Sequence, residues 1–213
     1  MMKIPISILR RLKVRIIVYL DDMLIIGSSL EEILMARDST LFLLEQLGYT
    51  INHAKSSLIA SHRCEFLGML IDSLMMTISL PEDKSLKLVS MCQDISKRET
   101  LSLRELSKVI GKLYATAPAV SEAPLQTRAL QQILISALRN HLSYESQVLL
   151  DQEAKQEVRW WAINLTANKN KPIHLDPPQV VMTTDSSTTA WGAFMKGVRQ
   201  LETNGHLWRE PYT

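Results

Sequence analysis

The sequence predicts an α+β fold in which a small antiparallel sheet precedes a helical region. Two runs rich in β-branched residues, 14–20 and 23–26, meet at the adjacent carboxylates Asp21 and Asp22 and predict a β-hairpin. The apolar period changes from strand-like to helical after Pro81. A sheet with helices packed on it is the expected arrangement.

The first eighty residues combine strands with one strongly signalled helix. Residues 4–12 predict a short helix that leads into the hairpin. Ser29 as N-cap and Glu32 three residues later form a capping-box pattern, and Gly48 marks the end of the helix that it opens. Further strands are predicted at residues 49–51, 57–60, 65–71 and 75–80.

Residues beyond Pro81 predict a helical region followed by a linker and a new sheet. Ser102 with Glu105 signals the clearest helix start there. The linker at 169–178 is polar and rich in proline. About 35 residues follow it, too few for an independent core, so we expect the chain to stop inside a domain. The helices are predicted at residues 82–97, 103–116, 123–142 and 147–168, and the later strands at 180–184 and 190–195.

Composition and charge favour an ordinary globular chain. Apolar residues make up 46% and charged residues 22% of the 213, which excludes a disordered polymer. Residues 1–83 carry 8 basic against 10 acidic residues, 84–141 carry 9 against 4, and 142–213 carry 7 against 8. The middle segment is therefore either a surface for polyanions or a solvated helix face.

Cysteine usage and hydropathy bear on the compartment. Cys64 and Cys92 are far apart and lack metal-ligand spacing, which indicates a reducing intracellular location, the cytoplasm or the nucleus. Basic residues interrupt the apolar run near the N-terminus, so it does not resemble a signal peptide. No run reaches the roughly 18 apolar residues of a membrane span, and no membrane partner is expected.

Asp21 and Asp22 are the candidate catalytic residues. Two carboxylates among so much hydrocarbon would repel each other and lose hydration, unless cations or hydrogen-bond donors compensate. Mg²⁺ prefers one or two carboxylates together with water and phosphate oxygens, and paired metals serve phosphoryl transfer. A structural turn is the alternative, because Asp tolerates turn conformations.

Several motifs in this order carry a family resemblance. Tyr19-Leu20-Asp21-Asp22 resembles the YxDD box of reverse transcriptases. Gly48 followed by Asn52 and Lys55-Ser56 is similar to the motif after the catalytic hairpin, and Phe66-Leu67-Gly68 is similar to the primer grip. Motifs similar to the DIRS-type, tyrosine-recombinase retrotransposon branch are Arg104-Glu105-Leu106, Ile110-Gly111, Ala115-Thr116-Ala117-Pro118-Ala119-Val120, Ala123-Pro124-Leu125, Trp160-Trp161 and Asn164-Leu165.

The resemblance implies part of a right-hand polymerase. Residues 1–80 would be the C-terminal half of the palm, an antiparallel sheet with packed helices. Residues 81–168 would be the helical thumb and connection, and 169–178 a linker. Residues 179–213 would be the first strands of a ribonuclease H-like fold. The implied reaction is metal-dependent nucleotidyl transfer from dNTP to a primer 3′ hydroxyl, with Mg²⁺ or Mn²⁺ as cofactor. The implied partners are an RNA template, a DNA primer, RNA–DNA hybrid and dNTP.

Site roles follow from the same resemblance. Asp21 and Asp22 would be two of three metal-binding palm carboxylates. Tyr19 would line the nucleotide and primer site, or else pack as a strand aromatic. Lys55 would supply positive charge near the leaving pyrophosphate, or else be an exposed loop lysine. Phe66, Leu67 and Gly68 would position the primer, or else form an ordinary strand. The candidates for contact with duplex phosphates are Lys97, Arg98, Arg104, Lys108 and Lys112.

Thr184-Asp185-Ser186-Ser187 resembles the opening of a ribonuclease H site, with Asp185 as its first metal ligand. Ala190 stands where the family usually has glycine. The other ribonuclease H acids would follow the chain, and the fingers with the third palm carboxylate would precede it. We therefore expect this fragment alone to be inactive. The rival hypotheses are a non-catalytic nucleic-acid-binding or interaction protein from a degraded element, and a generic α+β domain with an acidic turn.

Overall fold

The computed structural model of the protein describes most of the chain. It divides into two compact units, Met1–Ile173 and His174–Thr213, which are described separately. The described residues are 3–167, 170–174, 180–187, 190–196 and 206–207.

The structure mixes helices with small antiparallel sheets, which confirms the predicted α+β class. The helices are α1 (Lys3–Arg11), α2 (Leu30–Gln46), α3 (Glu82–Ile95), α4 (Leu103–Tyr114), α5 (Arg128–Arg139) and α6 (Gln152–Thr166). Short 3₁₀ helices span His53–Lys55 and Leu125–Thr127. The strands are β1 (Arg15–Tyr19), β2 (Asp22–Ile26), β3 (Arg63–Phe66), β4 (Met69–Asp72), β5 (Thr77–Ser79), β6 (Thr100–Ser102), β7 (Gln147–Leu149), β8 (Lys171–Pro172), β9 (Val181–Ser186), β10 (Ala190–Lys196) and β11 (His206–Leu207).

A first layer is built from the β1–β2 hairpin and the helices on either side of it in sequence. Alternate side chains of the hairpin face α1 and α2, as the period-two pattern of a half-buried strand requires. Ile6 and Leu9 of α1 are buried against Ile16 of β1. This core is small, and the partly buried side chains that complete it are Val14, Val18, Met23, Ile25 and Leu43.

A four-stranded antiparallel sheet with the order β3-β4-β5-β8 follows. The hairpin β3–β4 pairs Phe66 with Met69, and β5 joins β4 at its other edge. The short strand β8 returns from the end of the unit to pair with β5. Met69 contributes to the main hydrophobic core, so this sheet is anchored on the helical layer.

The helical layer contains the main core of the first unit. Helices α3 and α6 pack along each other, and Ser85 Oγ donates to the carbonyl of Leu165 at 2.9 Å between them. Trp161 is fully buried and its Nε1 donates to Gln126 O at 2.6 Å. The ring of Trp160 meets that of Trp161 edge-on at 5.2 Å, so both act in packing. The strands β6 and β7 pair antiparallel beside these helices.

Two predicted strands, 49–51 and 57–60, are wrong. The Tyr49 amide donates to Leu44 O and thereby ends α2, so it is not available to a sheet. The Leu58 carbonyl accepts from Arg37 Nη1 at 3.1 Å instead of from a neighbouring strand. Both segments are irregular chain on either side of a 3₁₀ turn, and one backbone group of each is bonded to α2.

Three other predicted elements differ in extent. The predicted strand 65–71 is a hairpin that reverses at Leu67-Gly68. The predicted helix 123–142 begins with a 3₁₀ turn and becomes α-helical at Arg128. In place of the start of the predicted helix 147–168, residues 147–149 form β7, and α6 starts only after Asp151, whose carboxylate accepts from the Ala154 amide at 2.7 Å.

The second unit contains an antiparallel sheet with the order β11-β10-β9. The two predicted strands 180–184 and 190–195 correspond to β9 and β10, which pair with each other. Of the predicted linker 169–178, residues 169 and 175–178 lie outside the described residues. Within the described part of the chain, no helix is both long enough and apolar enough to cross a bilayer.

Candidate functional site

The tip of the β1–β2 hairpin presents two adjacent carboxylates. Tyr19 pairs with Asp22 across the hairpin, so Leu20 and Asp21 are the two turn residues. Leu20 adopts a positive φ of 53°, a conformation that side chains other than glycine rarely take. Tyr19 is 58% exposed and both carboxylates are exposed. The hairpin therefore displays Tyr19, Asp21 and Asp22 together at its end.

The expected loss of hydration at these carboxylates is wrong. Of the apolar residues that flank them in sequence, Val18 and Met23 pack against the core of the first layer, whereas Tyr19 and Leu20 are exposed with the carboxylates at the tip. Because Asp21 and Asp22 stay exposed, water can solvate both charges. The physical reason for a metal at this tip is therefore the type and spacing of its oxygen donors and not the relief of burial.

The base of the hairpin is fixed to the first turn of α2. Arg15 Nη2 donates to both carboxylate oxygens of Glu32, at 2.9 and 3.1 Å, and to Ser28 Oγ at 2.7 Å. Glu32 also accepts from the Ser28 amide at 2.7 Å. The Ser28 amide and the Arg15 guanidinium hold the pKa of Glu32 below its usual range. This clamp joins the start of β1 to the residues that follow β2.

A second turn, at Leu67-Gly68, is held by a lysine from the helical layer. Both residues have positive φ, 51° and 69°, as in the type I′ turns that suit tight hairpins. Lys84 Nζ, near the start of α3, donates to Gly68 O at 3.0 Å. A Cβ added to Gly68 would lie 2.9 Å from the same Nζ. The turn is therefore fixed both by its backbone and by Lys84, while Leu67 is exposed.

Lys55 ends a 3₁₀ turn that Asn52 caps. Its amide is bonded to Asn52 Oδ1 at 3.2 Å, and its side chain is exposed. Among the described residues, the hydrogen bonds and ion pairs do not connect the Lys55 side chain with Asp21 or Asp22. The expected role of Lys55 near the leaving pyrophosphate therefore stays a prediction.

The five cations expected to contact phosphates fall into two groups. Arg98 is bonded to Asp94 at 2.6 Å and to Glu105 at 2.9 Å. Glu105 and Asp94 raise the pKa of the Arg98 guanidinium. Arg104 is bonded to Glu145 at 2.6 Å and lies over the Tyr144 ring. The remaining exposed cations, which form no ion pair within the described chain, are Lys97, Lys108 and Lys112.

Asp185 belongs to the second unit and is exposed near the end of β9. It pairs in register with Gly192 of β10. Over the described ranges of both units, no group of three or more His, Cys, Asp or Glu residues is arranged to hold a metal ion. At the hairpin tip, Asp21 and Asp22 are hard oxygen donors of the kind that Mg²⁺ prefers, but they supply only part of a ligand set.

Comparison with known proteins finds a family similarity in the first part of the chain. Residues 1–71 match the family model described as reverse transcriptase (RNA-dependent DNA polymerase). The matched residues include the hairpin with Asp21 and Asp22, α2, β3 and most of β4. No curated protein sequence matches the chain.

Solved structures extend the similarity in fold to nearly the whole chain. Three structures of a foamy viral protease-reverse transcriptase are similar. The dRH form with double-stranded DNA has a TM-score of 0.58 at 19% identity. The complex with RNA/DNA hybrid has 0.59 at 19%, and a further complex with double-stranded DNA has 0.57 at 18%. They cover 95%, 95% and 96% of this chain, which spans 34%, 26% and 41% of theirs.

Sequence reasoning missed two contacts of the hairpins, the bond of Lys84 to Gly68 and the Arg15–Glu32 clamp. Lys84 follows Pro81 by three residues, a position from which a helix start can reach back to the preceding sheet. Arg15 is a charged residue at the start of an otherwise apolar strand. These positions can be noticed in the sequence, but local pattern does not identify the partners. Gly68 lies 16 residues from Lys84, and Glu32 lies 17 residues from Arg15.

Proposed function

We propose that the chain is part of the reverse transcriptase of a DIRS-type retrotransposon. Residues 1–80 form the second half of the palm, 81–168 the thumb and connection, and 169–178 a linker whose residues Lys171–Pro172 pair with β5 as β8. Residues 179–213 form the beginning of a ribonuclease H domain. The observation that carries the proposal is the reverse transcriptase match over residues 1–71, which contains a hairpin with two carboxylates exposed at its tip.

In this proposal, the hairpin tip is two thirds of a polymerase metal site. Asp21 and Asp22 bind Mg²⁺ or Mn²⁺ through their oxygens, and a third carboxylate comes from polypeptide outside these 213 residues. A bound metal pair supplies positive charge to the oxygens of the phosphoryl group under transfer. The clamp of Arg15 and Glu32 joins the base of the hairpin to the first turn of α2.

The residues around the tip hold the primer and the nucleotide. The exposed ring of Tyr19 lines the site of the nucleotide and the primer end. Phe66, Leu67 and Gly68 position the primer terminus on a turn that Lys84 keeps rigid. Lys55 provides a positive charge for the leaving pyrophosphate. These roles are supported by the exposure of Tyr19 and Lys55 and by the constrained backbone of the second turn.

The cations that follow α3 and those of α4 contribute to binding the duplex backbone. Lys108 and Lys112 are four residues apart on α4 and exposed on one side of that helix. Arg98 and Arg104 already have carboxylate partners, so their charge is partly neutralised. Lys97, Lys108 and Lys112 are therefore the main phosphate contacts, and Arg98 and Arg104 are secondary.

Asp185 is the first metal ligand of the linked ribonuclease H in this proposal. Its place near the end of β9, opposite β10, is compatible with that role. Because one carboxylate cannot hold a metal pair, the ribonuclease H activity requires acids beyond this chain. By the same reasoning, the 213-residue chain alone does not extend primers.

The direct test is primer extension on an RNA template with Mg²⁺ or Mn²⁺. The enzyme for this test is the chain restored to its upstream and downstream polypeptide. Asp21→Asn is expected to reduce extension at least a hundredfold, because metal-ligand carboxylates supply the main electrostatic stabilisation of transfer. Glu45→Gln, which removes an exposed charge from α2, is the matched control and should keep full activity.

Equal extension by the restored enzyme and its Asp21→Asn variant would show that the hairpin is not the metal site. The alternative function is a non-catalytic nucleic-acid-binding protein, which the exposed lysines Lys97, Lys108 and Lys112 favour. Salt-sensitive binding to RNA–DNA hybrid without synthesis, even in the restored chain, would support that alternative.

A further inference from the structure

The N-terminal part of the first layer is basic, although residues 1–83 as a whole contain more acidic than basic residues. Residues 1–20 contain five basic residues and no acidic one. Arg15 is neutralised by Glu32 in the clamp. The other four lie on α1 or immediately after it, and they are called the α1 basic face here: Lys3, Arg10, Arg11 and Lys13.

Three of these cations share one side of α1 and line a concave surface. Lys3, Arg10 and Arg11 are spaced seven and eight residues apart, so they project from the same face of the helix. They surround a depression with Ser7, whose hydroxyl can donate, and with Val18 of β1 as part of its floor. The eight-residue span corresponds to about 12 Å along the helix.

The buried face of α1 holds these cations in place. Ile6 and Leu9 are buried against Ile16, which fixes the helix on the hairpin. Arg10 Nη2 reaches Ile16 O at 3.4 Å across the edge of β1, and its other N–H groups remain available. Within the described residues, no carboxylate is bonded to Lys3, Arg10, Arg11 or Lys13. The face is therefore a preformed and unneutralised cluster of positive charge.

Lys13 occupies a backbone position that favours glycine. Its φ is 62°, and it ends α1 with the amides of Lys13 and Val14 bonded to Arg10 O and Leu9 O. Gly48 ends α2 with the same bonding pattern at a φ of 80°, and His141 ends α5 with it at 56°. A lysine in this position is less stable than a glycine, so replacing it with glycine removes the charge without a cost in stability.

We propose that the α1 basic face binds the phosphate backbone of nucleic acid, at a surface separate from the hairpin tip and from the cations of α4. This inference rests on the proposed function, because the partner is the nucleic acid on which the polymerase would act. The α1 basic face would hold that nucleic acid at a second place. A nucleic-acid strand carries one charge per about 3.4 Å of axis, so a stripe of about 12 Å spans about three phosphates. The cations match this length.

An anionic membrane is the less favourable partner for this face. Ile4 and Leu12 are the apolar side chains of this region that are most exposed, at 70% and 63%. The remaining apolar face of α1 is already buried in the first layer, whereas an interfacial helix inserts a continuous apolar face. Charge without a free apolar face favours phosphates in solution.

The test measures binding of the 213-residue chain to a short RNA–DNA hybrid in EDTA, over a series of salt concentrations, by fluorescence anisotropy. Lys3→Gln/Arg11→Gln should lower the affinity about tenfold and reduce the slope of log K against log salt by about 2. The matched control, Arg139→Gln/Arg159→Gln, removes two exposed charges from α5 and α6 and should have much smaller effects.

A second pair of variants separates binding from folding. Lys13→Gly and His141→Gly each relieve a positive φ and should each raise Tm, by about 2 °C. Only Lys13→Gly should weaken hybrid binding. A gain in stability with a loss of affinity is a result that a purely structural lysine would not produce.

The proposal is overturned if the unaltered chain does not bind the hybrid, or if the α1 and control variants lose the same affinity. It is also overturned if Lys3→Gln/Arg11→Gln binds hybrid normally but loses binding to vesicles of phosphatidylcholine and phosphatidylserine. Asp21→Asn in primer extension distinguishes the two proposals. If Asp21→Asn abolishes extension but Lys3→Gln/Arg11→Gln binds hybrid normally, only the proposal for the α1 basic face is refuted. If Asp21→Asn leaves extension unchanged but Lys3→Gln/Arg11→Gln binds hybrid more weakly, only the proposal for the polymerase site is refuted.

Discussion

Gly27 links β2 to α2 at a point where a side chain does not fit. A Cβ at this position would collide with Ile33 Cγ1 and lie 3.1 Å from the Ile33 backbone nitrogen. Because the Ile33 nitrogen is backbone of the first turn of α2, relief of this contact requires the helix to move away from the hairpin. The glycine is thus required by the close approach of α2 to the hairpin.

We expect Gly27→Ala to lower the free energy of unfolding by about 1–3 kcal/mol, as overpacking does. Gly111→Ala is the matched control, because Gly111 is exposed within α4 and a Cβ there meets nothing within 4 Å. It should stabilise the protein by about 1 kcal/mol through its helix propensity. Urea unfolding followed by circular dichroism measures both. Equal effects of the two substitutions would contradict the steric explanation.

Cys92 provides a pH-dependent term in stability. It is fully buried in the main core, and burial raises the pKa of its thiol to about 12 from an ordinary value of 9.0. Between these values, the unfolded chain loses the thiol proton while the folded chain keeps it. The free energy of unfolding should therefore fall by about 1.4 kcal/mol per pH unit above pH 9.

Comparison with Cys92→Ala isolates this term. The variant is less stable at pH 7 because it leaves a small cavity, but its stability should decline less steeply between pH 9 and pH 10.5. Unfolding curves at each pH give the two slopes. Parallel slopes for the two proteins would mean that Cys92 is not the group responsible.

At the scale of elements, the N-terminus of α5 is capped by another helix. Thr127 makes no side-chain cap bond. Instead, Glu157 of α6 accepts from the Ala129 amide at 2.8 Å and from the Leu130 amide at 3.1 Å. A carboxylate there satisfies two free amides and also interacts favourably with the helix dipole.

Glu157→Gln should destabilise the protein by about 1–2 kcal/mol, because the amide nitrogen cannot accept and the charge is lost. Glu45→Gln, near the end of α2, is the control and should change stability little. Thermal unfolding of both variants measures the difference. If Glu157→Gln melts with the unaltered protein, Glu157 does not act as a cap.

Local signals predicted the starts of α2 and α4 well. Ser29 Oγ accepts from the Glu32 amide at 3.1 Å, and Ser102 Oγ accepts from the Glu105 amide at 3.2 Å, as the two capping patterns indicate. In a capping box the glutamate side chain also accepts from the amide of the capping serine. Here Glu32 instead bonds to Ser28 and Arg15, and Glu105 bonds to Arg98. Competing donors nearby explain this difference, and they are set by tertiary structure.

Pairing between distant segments was not predictable from local pattern. The ribbon of β6 and β7 joins Leu101 to Val148, and each strand has only three residues. Such short runs carry almost no periodic signal. The candidate site shows the same contrast, because the hairpin that carries Asp21 and Asp22 was read from adjacent residues. The contact of Lys84 with Gly68 depends on how a helix packs against a sheet.

At the scale of the whole molecule, the first unit has two cores of very different size. The first layer buries Ile6, Leu9 and Ile16 as its central residues, whereas the main core buries side chains from α3, α4, α5, α6 and two sheets. Local stability follows the amount of buried apolar surface. The hairpin with Asp21 and Asp22 therefore lies in the less stable part of its unit.

Native-state hydrogen exchange should resolve the two layers. We expect amides of β1 and β2 to exchange through a partial opening, at a free energy at least 1–2 kcal/mol below that of amides in α4 and α6. Ser29→Ala, which removes the N-cap of α2, should lower the protection of β1 and β2 but leave that of α6 unchanged. Ser102→Ala, which removes the equivalent cap of α4, should lower protection in the main core instead. Equal protection of β1 and α6 would show that the unit unfolds as one cooperative body, and that the carboxylate hairpin is held as firmly as the helical layer.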